Sequence, residues 1–190
     1  MSRALVLCLV SASAVVGFAQ QPSAVTSPLI NTVDPPALVI GGRTTIQLVG
    51  KNLDGATHLL LPFAAKVRRD PGGTESTRFV VDVARTVSPG VYPLRAYGPA
   101  GMSNLRLICV AADPVISTRA EGNGRYRGGR IDLSSAQTIR WPCRVAGGRL
   151  SQDIDLFRFR VDAGQRLVFT TQTRRLGLTP DPVIRLRDSR

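Results

Sequence analysis

The sequence predicts an all-β protein built from two β-sandwich modules that follow an export signal. Three observations carry this prediction: short alternating apolar runs, turn residues between them, and no long amphipathic helical pattern. The 190 residues include 18 Gly and 13 Pro, which is typical of a chain with many turns. This length allows one ordinary domain or two small ones.

The N-terminus has the pattern of a signal peptide. Arg3 supplies a positive charge, residues 4–16 are almost wholly apolar, and small residues precede a cleavage point before Gln20. A membrane anchor needs about 20 apolar residues, and this run is shorter. We therefore expect residues 1–19 to be removed, a secreted, periplasmic or cell-surface location, and no membrane span in the mature chain.

A polar leader, 20–27, is expected to precede the first module, 28–112. Its alternation places Ile46 and Leu48 on one face of a strand, and Phe79, Val81 and Val83 on one face of another. Turn residues separate strands at regular spacing, and the module has the size of an immunoglobulin-like sandwich. The expected strands are 44–49, 58–62, 78–83, 91–97 and 103–111, with a hairpin tip at 68–76.

A Gly- and Arg-rich linker is expected at 113–130, since this stretch has little to bury. The second module, 131–190, is expected to be a partial, jelly-roll-like β-sandwich. The strand-rich segment begins near Ile131, and its expected strands are 139–145, 155–161, 166–173 and 183–187. In the strand at 155–161, Phe157, Phe159 and Val161 alternate with arginines and are predicted to pack inward.

The cysteine count allows one disulfide. Cys8 leaves with the signal, so Cys109 and Cys143 remain as an even pair in an oxidising compartment. The alternative is two buried thiols, because Cys109 alternates in phase with Leu105 and Leu107 on an expected core face.

The net charge of +12 arises from 23 Arg and 2 Lys against 13 acidic residues. A basic balance favours acidic partners, although an arginine-rich coding bias also explains it. Export argues against nucleic acid, and a DNA-binding protein would have to remain in the cytosol. Arginines of the second module are predicted to form either a basic surface for anionic polymer or an ordinary solvated face: Arg140, Arg144, Arg149, Arg158, Arg160, Arg166, Arg185 and Arg187.

Catalysis is not expected. The single histidine, His58, lies in an apolar run and is interpreted as a strand residue, Glu75 has no visible partner, and no hydrolase, zinc-protease or phosphate-loop motif is present. Tyr92, Tyr97, Tyr126 and Trp141 offer stacking faces for sugar or peptide, but Trp141 is better interpreted as a residue of the core or its edge.

The first module resembles the IPT/TIG immunoglobulin-like family. The resemblance is carried by Pro35-Pro36, Gly41-Gly42, Gly50-Lys51-Asn52-Leu53, Pro89-Gly90-Val91-Tyr92 and the Gly98–Asn104 turn. It implies a non-catalytic spacer or binding module.

The second module resembles the bacterial pre-peptidase C-terminal domain, a jelly-roll-like sandwich of secreted proteins. The resemblance is carried by Ala136-Gln137, Val145-Ala146-Gly147, Asp153–Phe159, Ala163-Gly164-Gln165, Leu176-Gly177 and Leu186-Arg187-Asp188. Family domains open with a longer acidic string and continue through further strands, so the module is expected to be truncated. An incomplete sandwich leaves unpaired strand edges.

Some relatives in this family bind calcium through the acidic string and the D-x-D motif. The resemblance therefore implies Glu121, Asn123, Asp153 and Asp155 as candidate calcium ligands, to be completed by carbonyls and waters. The alternative is that Asp155 only accepts hydrogen bonds from turn amides.

Together these observations predict an exported, non-catalytic adhesion or accessory protein that recognises extracellular polysaccharide, envelope polymer or a protein partner through its sheet faces. The alternative is the N-terminal accessory part of a secreted hydrolase, a peptidase or glycosidase whose catalytic domain lies outside this chain.

Overall fold

The structure is a computed structural model that describes residues 26–70, 77–117, 126–127, 130–131, 133–146, 154–178 and 182–187. The all-β prediction is confirmed, because the described regular elements are strands apart from two short 3₁₀ turns. None of the described residues belongs to a helix with the length and apolar character required to cross a bilayer. The predicted signal peptide, 1–19, lies outside the described residues.

Nine strands occupy residues 29–111. They are β1 (Leu29–Asp34), β2 (Ala37–Val39), β3 (Arg43–Lys51), β4 (His58–Leu60), β5 (Ala65–Asp70), β6 (Thr77–Val83), β7 (Gly90–Gly98), β8 (Gly101–Met102) and β9 (Arg106–Ala111).

These strands form two sheets that enclose one core. The order of the four-stranded sheet is β1-β3-β6-β5, and that of the five-stranded sheet is β2-β9-β7-β4 with β8 paired to β7. Pro35 and Pro36 lie where the chain passes from the first sheet to the second, as suits residues that cannot donate to a strand ladder.

The core follows the predicted alternation. Ile46, Leu48, Phe79 and Val81 are fully buried, and Val83 is nearly so. Leu94, Ile108 and Val110 of the five-stranded sheet pack against them in the same cluster. The inward faces assigned to β3 and β6 are thus confirmed.

Several residues of the turn motifs are structural supports. A Cβ on Gly50 would overlap the carbonyl of Leu29, and one on Gly98 would overlap the carbonyl of Gly55, so both positions need glycine. Asn52 adopts a left-handed backbone with φ of 56°, a conformation that asparagine tolerates.

The Ser-Asn pair after β8 links the strands. Ser103 is buried, and its hydroxyl accepts a bond from Ala96 N and donates one to Asn104 O, both at 2.9 Å. Asn104 then joins the two sheets: its Oδ1 accepts from Ile30 N at 2.7 Å and its Nδ2 donates to Ile30 O at 3.0 Å. Arg106 Nε also donates to Ile30 O at 2.7 Å.

Tyr92 fixes the turn before β7. Its hydroxyl donates to Ser88 O at 2.9 Å, four residues upstream. Its ring meets Phe63 edge-on, with centroids 5.0 Å apart. A tyrosine bonded back to a preceding turn in this way is typical of immunoglobulin-like sandwiches.

The described residues after 111 include three short two-stranded sheets. Their strands are β10 (Val115–Ser117), β11 (Tyr126–Arg127), β12 (Arg130–Ile131), β13 (Gln137–Thr138), β14 (Arg144–Ala146) and β15 (Phe157–Arg158). β10 pairs in parallel with β14, β13 in parallel with β15, and β11 with β12 in antiparallel fashion.

This second part packs on the outer face of the five-stranded sheet. Ala37 of β2, Cys109 of β9 and Ala146 of β14 form a small buried cluster, against which Val115 and Leu176 pack. Cys109 is therefore buried, but it does not lie in the sandwich core as expected. The core face of β9 carries Ile108 and Val110 instead. Leu105, expected to face the core in phase with Cys109, is exposed.

Several strand assignments were wrong. Ala65–Asp70 form a full strand where a hairpin tip was expected from residue 68, and Val115–Ser117 form a strand inside the expected linker. Trp141 and Pro142 interrupt the strand expected at 139–145. The described residues of 166–173 and 183–187 form no strand, because no described segment pairs with them.

Candidate functional site

The outer face of the five-stranded sheet has a covered half and an open half. The second part of the chain covers the β2 and β9 side through the Ala37–Cys109–Ala146 cluster. The β4, β7 and β8 side is exposed instead, and its outward side chains are His58, Leu60, Arg95, Tyr97 and Met102. We name these five residues the open platform.

Strand register brings these side chains together in two rows. His58 lies opposite Tyr97, and Tyr97 lies opposite Met102 on the other edge of β7. Leu60 lies opposite Arg95 in the neighbouring row. Directly opposed residues have Cβ atoms about 4.5–5.5 Å apart, so the platform is one continuous surface.

The two rings of the platform support each other. The His58 and Tyr97 rings are stacked, with centroids 5.0 Å apart and an interplanar angle of 15°. His58 Nδ1 shares a 2.7 Å hydrogen bond with the Thr57 hydroxyl, which fixes the imidazole orientation. Thr57 N in turn donates to Tyr97 O at 3.0 Å, so the pair is held on a hydrogen-bonded strand edge.

Arg95 is held in place at the centre of the platform. Its Nη1 donates to Ser103 O at 3.2 Å and lies 3.7 Å from the Met102 sulfur. The same Ser103 anchors β7 through Ala96. The Ser103 carbonyl thus orients the guanidinium without an acidic partner. The remaining N–H groups of Arg95 can donate to a ligand.

The apolar members of the platform are largely exposed. Leu60 is 51%, Met102 48% and Tyr97 38% accessible. The Tyr97 hydroxyl has no hydrogen-bond partner among the described residues. The platform therefore combines apolar contact area with an imidazole, a phenol and a guanidinium, and these polar groups can bond a ligand.

Sequence reasoning identified Tyr97 as a stacking face but missed its partner. His58 was interpreted from the apolar run H-L-L-L as a strand residue; it does lie in β4, but it points outward while Leu59 is buried. The alternation of a three-residue strand is too short to show which face is polar. Tyr92 is partly buried against the core and is not part of the platform.

Trp141 was expected in the core or at its edge, and the residue is 42% exposed, which excludes the core interior. Its Nε1 donates to Arg160 O at 2.8 Å, which attaches the indole to the segment after β15. Val161, expected to face inward, is exposed, whereas Phe157 and Phe159 are partly buried. Tyr126 lies in β11.

The arginines of the second part do not line one sheet. Arg140, Arg158, Arg160 and Arg166 are exposed, as are Arg185 and Arg187 in a segment without strand pairing. Arg144 is partly buried beside Cys109. Arg149 lies outside the described residues.

Of the four candidate calcium ligands, Glu121, Asn123 and Asp153 lie outside the described residues, as does Glu75. Asp155 is partly buried just before β15. Elsewhere in the described ranges, no three His, Cys, Asp or Glu side chains gather as metal ligands would. The calcium site stays a prediction.

The two cysteines are free thiols in different surroundings. Burial raises the pKa of the Cys109 thiol, and the nearby positive charge of Arg144 partly offsets this rise. Burial also raises the pKa of the Cys143 thiol, and the negative charge of Asp113 raises it further. Their pairing stays a prediction.

No protein-family model matches the sequence, and a comparison with curated proteins finds no match either. Among solved structures, the chain is similar to SGBP-B of the Bacteroides ovatus mixed-linkage glucan utilization locus, solved in complex with a mixed-linkage heptasaccharide. The sequence identity is 21% and the TM-score 0.37; the match covers 54% of the present chain and 27% of that chain. A similarity at this TM-score carries no statement about function.

Proposed function

We propose that the protein is a non-catalytic binding protein that recognises extracellular or envelope polysaccharide through the open platform. The observation that carries this proposal is the exposed His58–Tyr97 ring pair beside the oriented Arg95 guanidinium on a rigid sheet. Sites held on strands keep their geometry better than sites on loops.

The chemistry of the platform suits a sugar chain. Carbohydrates present C–H faces and hydroxyl groups side by side, so they need a surface that is both apolar and hydrogen-bonding. Tyrosine and histidine have an apolar ring body with a polar tip, and Leu60 and Met102 extend the apolar area. Arg95 contributes several N–H donors in fixed geometry.

The export signal predicted at 1–19 and the resemblance of the first module to a non-catalytic spacer or binding family support the same role. On this proposal the protein is secreted, periplasmic or exposed at the cell surface. An accessory module of a secreted hydrolase would use the platform in the same way, to hold the enzyme on its substrate.

Glycan-array binding followed by calorimetry on the best soluble polysaccharide tests the proposal. Tyr97→Ala and His58→Ala should each weaken binding about tenfold, equivalent to about 1.4 kcal/mol, because each removes half of the stacked pair. Trp141→Ala is the matched control, since it removes an equally exposed aromatic ring far from the platform in sequence.

Loss of binding in Trp141→Ala with full binding in Tyr97→Ala would place the site elsewhere and overturn the proposal. Binding of no glycan by the wild-type chain, with capture of an envelope protein that Tyr97→Ala abolishes, would show a protein partner at the platform instead.

A further inference from the structure

The four-stranded sheet presents a charged outer face on the opposite side of the sandwich from the open platform. In β3 and β6, the side chains that alternate with the buried ones point outward, and β5 follows in register. Six outward charged residues lie on these strands, Arg43, Lys66, Arg68, Asp70, Arg78 and Asp82, and Asp34 of β1 lies on the same face opposite Gln47. We name these six residues the cationic face.

Register arranges the cationic face in three rows across the strands. Arg43 lies opposite Asp82, which lies opposite Lys66. In the next row, Val80 lies between Thr45 and Arg68. In the third row, Arg78 lies between Gln47 and Asp70.

Even with Asp34 of β1 counted, three acids do not balance the four cations. Asp82 is held by Arg43 through two bonds, Nε to Oδ1 at 2.7 Å and Nη2 to Oδ2 at 3.3 Å. The Arg43 hydrogen bond lowers the pKa of Asp82, and the attraction of Arg43, Lys66 and Arg68 lowers it further. The charge of Asp82 is therefore already paired with that of Arg43, and Asp70 lies opposite Arg78 in the strand register.

Lys66 and Arg68 supply the excess positive charge. Neither side chain forms a hydrogen bond or a close ion pair with another described residue. Residues two apart on a strand lie about 6.6 Å apart on the same face, so these two cations form a short row along β5. Both are exposed.

One nearly buried apolar residue, Val80, lies among the outward residues of this charged face. Val80 points outward in the register but is only 9% exposed. Its Cα partners are Thr45 and Arg68, and a long arginine stem can cover apolar surface while its head stays in water. Arg68 and Val80 are thus direct neighbours in the register of β5 and β6.

We propose that the cationic face is a second binding surface, specific for anionic polysaccharide that carries carboxylate or sulfate groups. Arginine and lysine side chains bind such oxyanions through charge-assisted hydrogen bonds, which arginine makes in bidentate geometry. A flat sheet with a row of cations fits an extended chain whose charges repeat along its length. The site is independent of the open platform, since it lies on the other sheet.

The test measures binding of polygalacturonate by fluorescence anisotropy at several salt concentrations, with dextran as the neutral comparison and single-stranded DNA as the alternative polyanion. The variant Lys66→Glu/Arg68→Glu should bind polygalacturonate at least tenfold more weakly at low salt and show a flatter salt dependence. The matched control is Arg185→Glu/Arg187→Glu, which changes the net charge equally at exposed positions outside the sandwich.

Equal losses in both double variants would show a diffuse effect of net charge and overturn the proposal. Tighter binding of DNA than of polygalacturonate by the wild-type chain would also overturn it. Lys66→Gln/Arg68→Gln, with its fold checked by circular dichroism, is the milder variant and should lose at least threefold in affinity. Tyr97→Ala should keep polygalacturonate binding, so failure of the platform and failure of the cationic face are distinguishable.

Discussion

Replacing Asn104 tests how the two sheets are held together. Asn104→Ala removes the acceptor for the buried Ile30 N–H and one of the two donors to Ile30 O, while Arg106 continues to donate to that oxygen. A buried donor without a partner costs about 1–3 kcal/mol, and a lost bond to a satisfied acceptor about 0.5–1.5 kcal/mol. We expect a loss of about 2–4 kcal/mol in the free energy of unfolding.

Asn104→Asp is the matched variant, because a carboxylate keeps the acceptor for Ile30 N but sets a second acceptor oxygen against Ile30 O. Its expected cost is about 1–3 kcal/mol. Urea unfolding followed by far-UV circular dichroism measures both. Tryptophan fluorescence is unsuitable, because Trp141 is the only tryptophan and lies outside the sandwich. A loss below about 0.5 kcal/mol for either variant would refute the role of Asn104 as a link between the sheets.

Two further predictions concern backbone approach and thiol chemistry. Gly98→Ala should lower the unfolding free energy by at least about 2 kcal/mol, because its Cβ would overlap the Gly55 carbonyl. The control Gly55→Ala has open space around its Cβ and should change the unfolding free energy by no more than about 0.5 kcal/mol. Equal shifts of the urea midpoint in the two variants would contradict the proposed close approach at Gly98. Because the pKa of Cys109 is raised, its stabilising contribution is present below the pKa of an unfolded thiol and is lost as pH rises through the folded pKa. Alkylation followed by peptide mass spectrometry should show Cys109 in the folded chain reacting at higher pH than in the denatured chain. A linked Cys109–Cys143 peptide in unreduced protein would instead confirm the predicted disulfide and leave no Cys109 thiol to titrate.

The core-facing side of a strand was predictable where one face of the strand is apolar and the other is polar. The alternation of Phe79, Val81 and Val83 in β6 identified the core face, since their neighbours Arg78 and Asp82 are polar. In β9 every residue from Leu107 to Ala111 is apolar, so alternation cannot identify the core face, and the face expected from Leu105, Leu107 and Cys109 was wrong. The structure buries Ile108 and Val110 in the sandwich and Cys109 under the second part of the chain.

The open platform was only partly predictable. Tyr97 was recognised as an exposed aromatic ring, but its contact with His58 depends on the pairing of β4 with β7, which are about 40 residues apart in sequence. The cationic face was missed because β5 was interpreted as a hairpin tip from residue 68. Without that strand, Lys66 and Arg68 have no common face.

The sequence alone determined the all-β class, the core faces of β3 and β6, and the turn residues that fix the sandwich, because these depend on local alternation and on backbone conformations that few residues accept. Only the tertiary structure decided which side chains meet across strands and which apolar face the second part of the chain covers. Those outcomes depend on pairing between distant segments. Strand register is what brings His58 to Tyr97 and places Lys66 and Arg68 beside Asp82 and Val80.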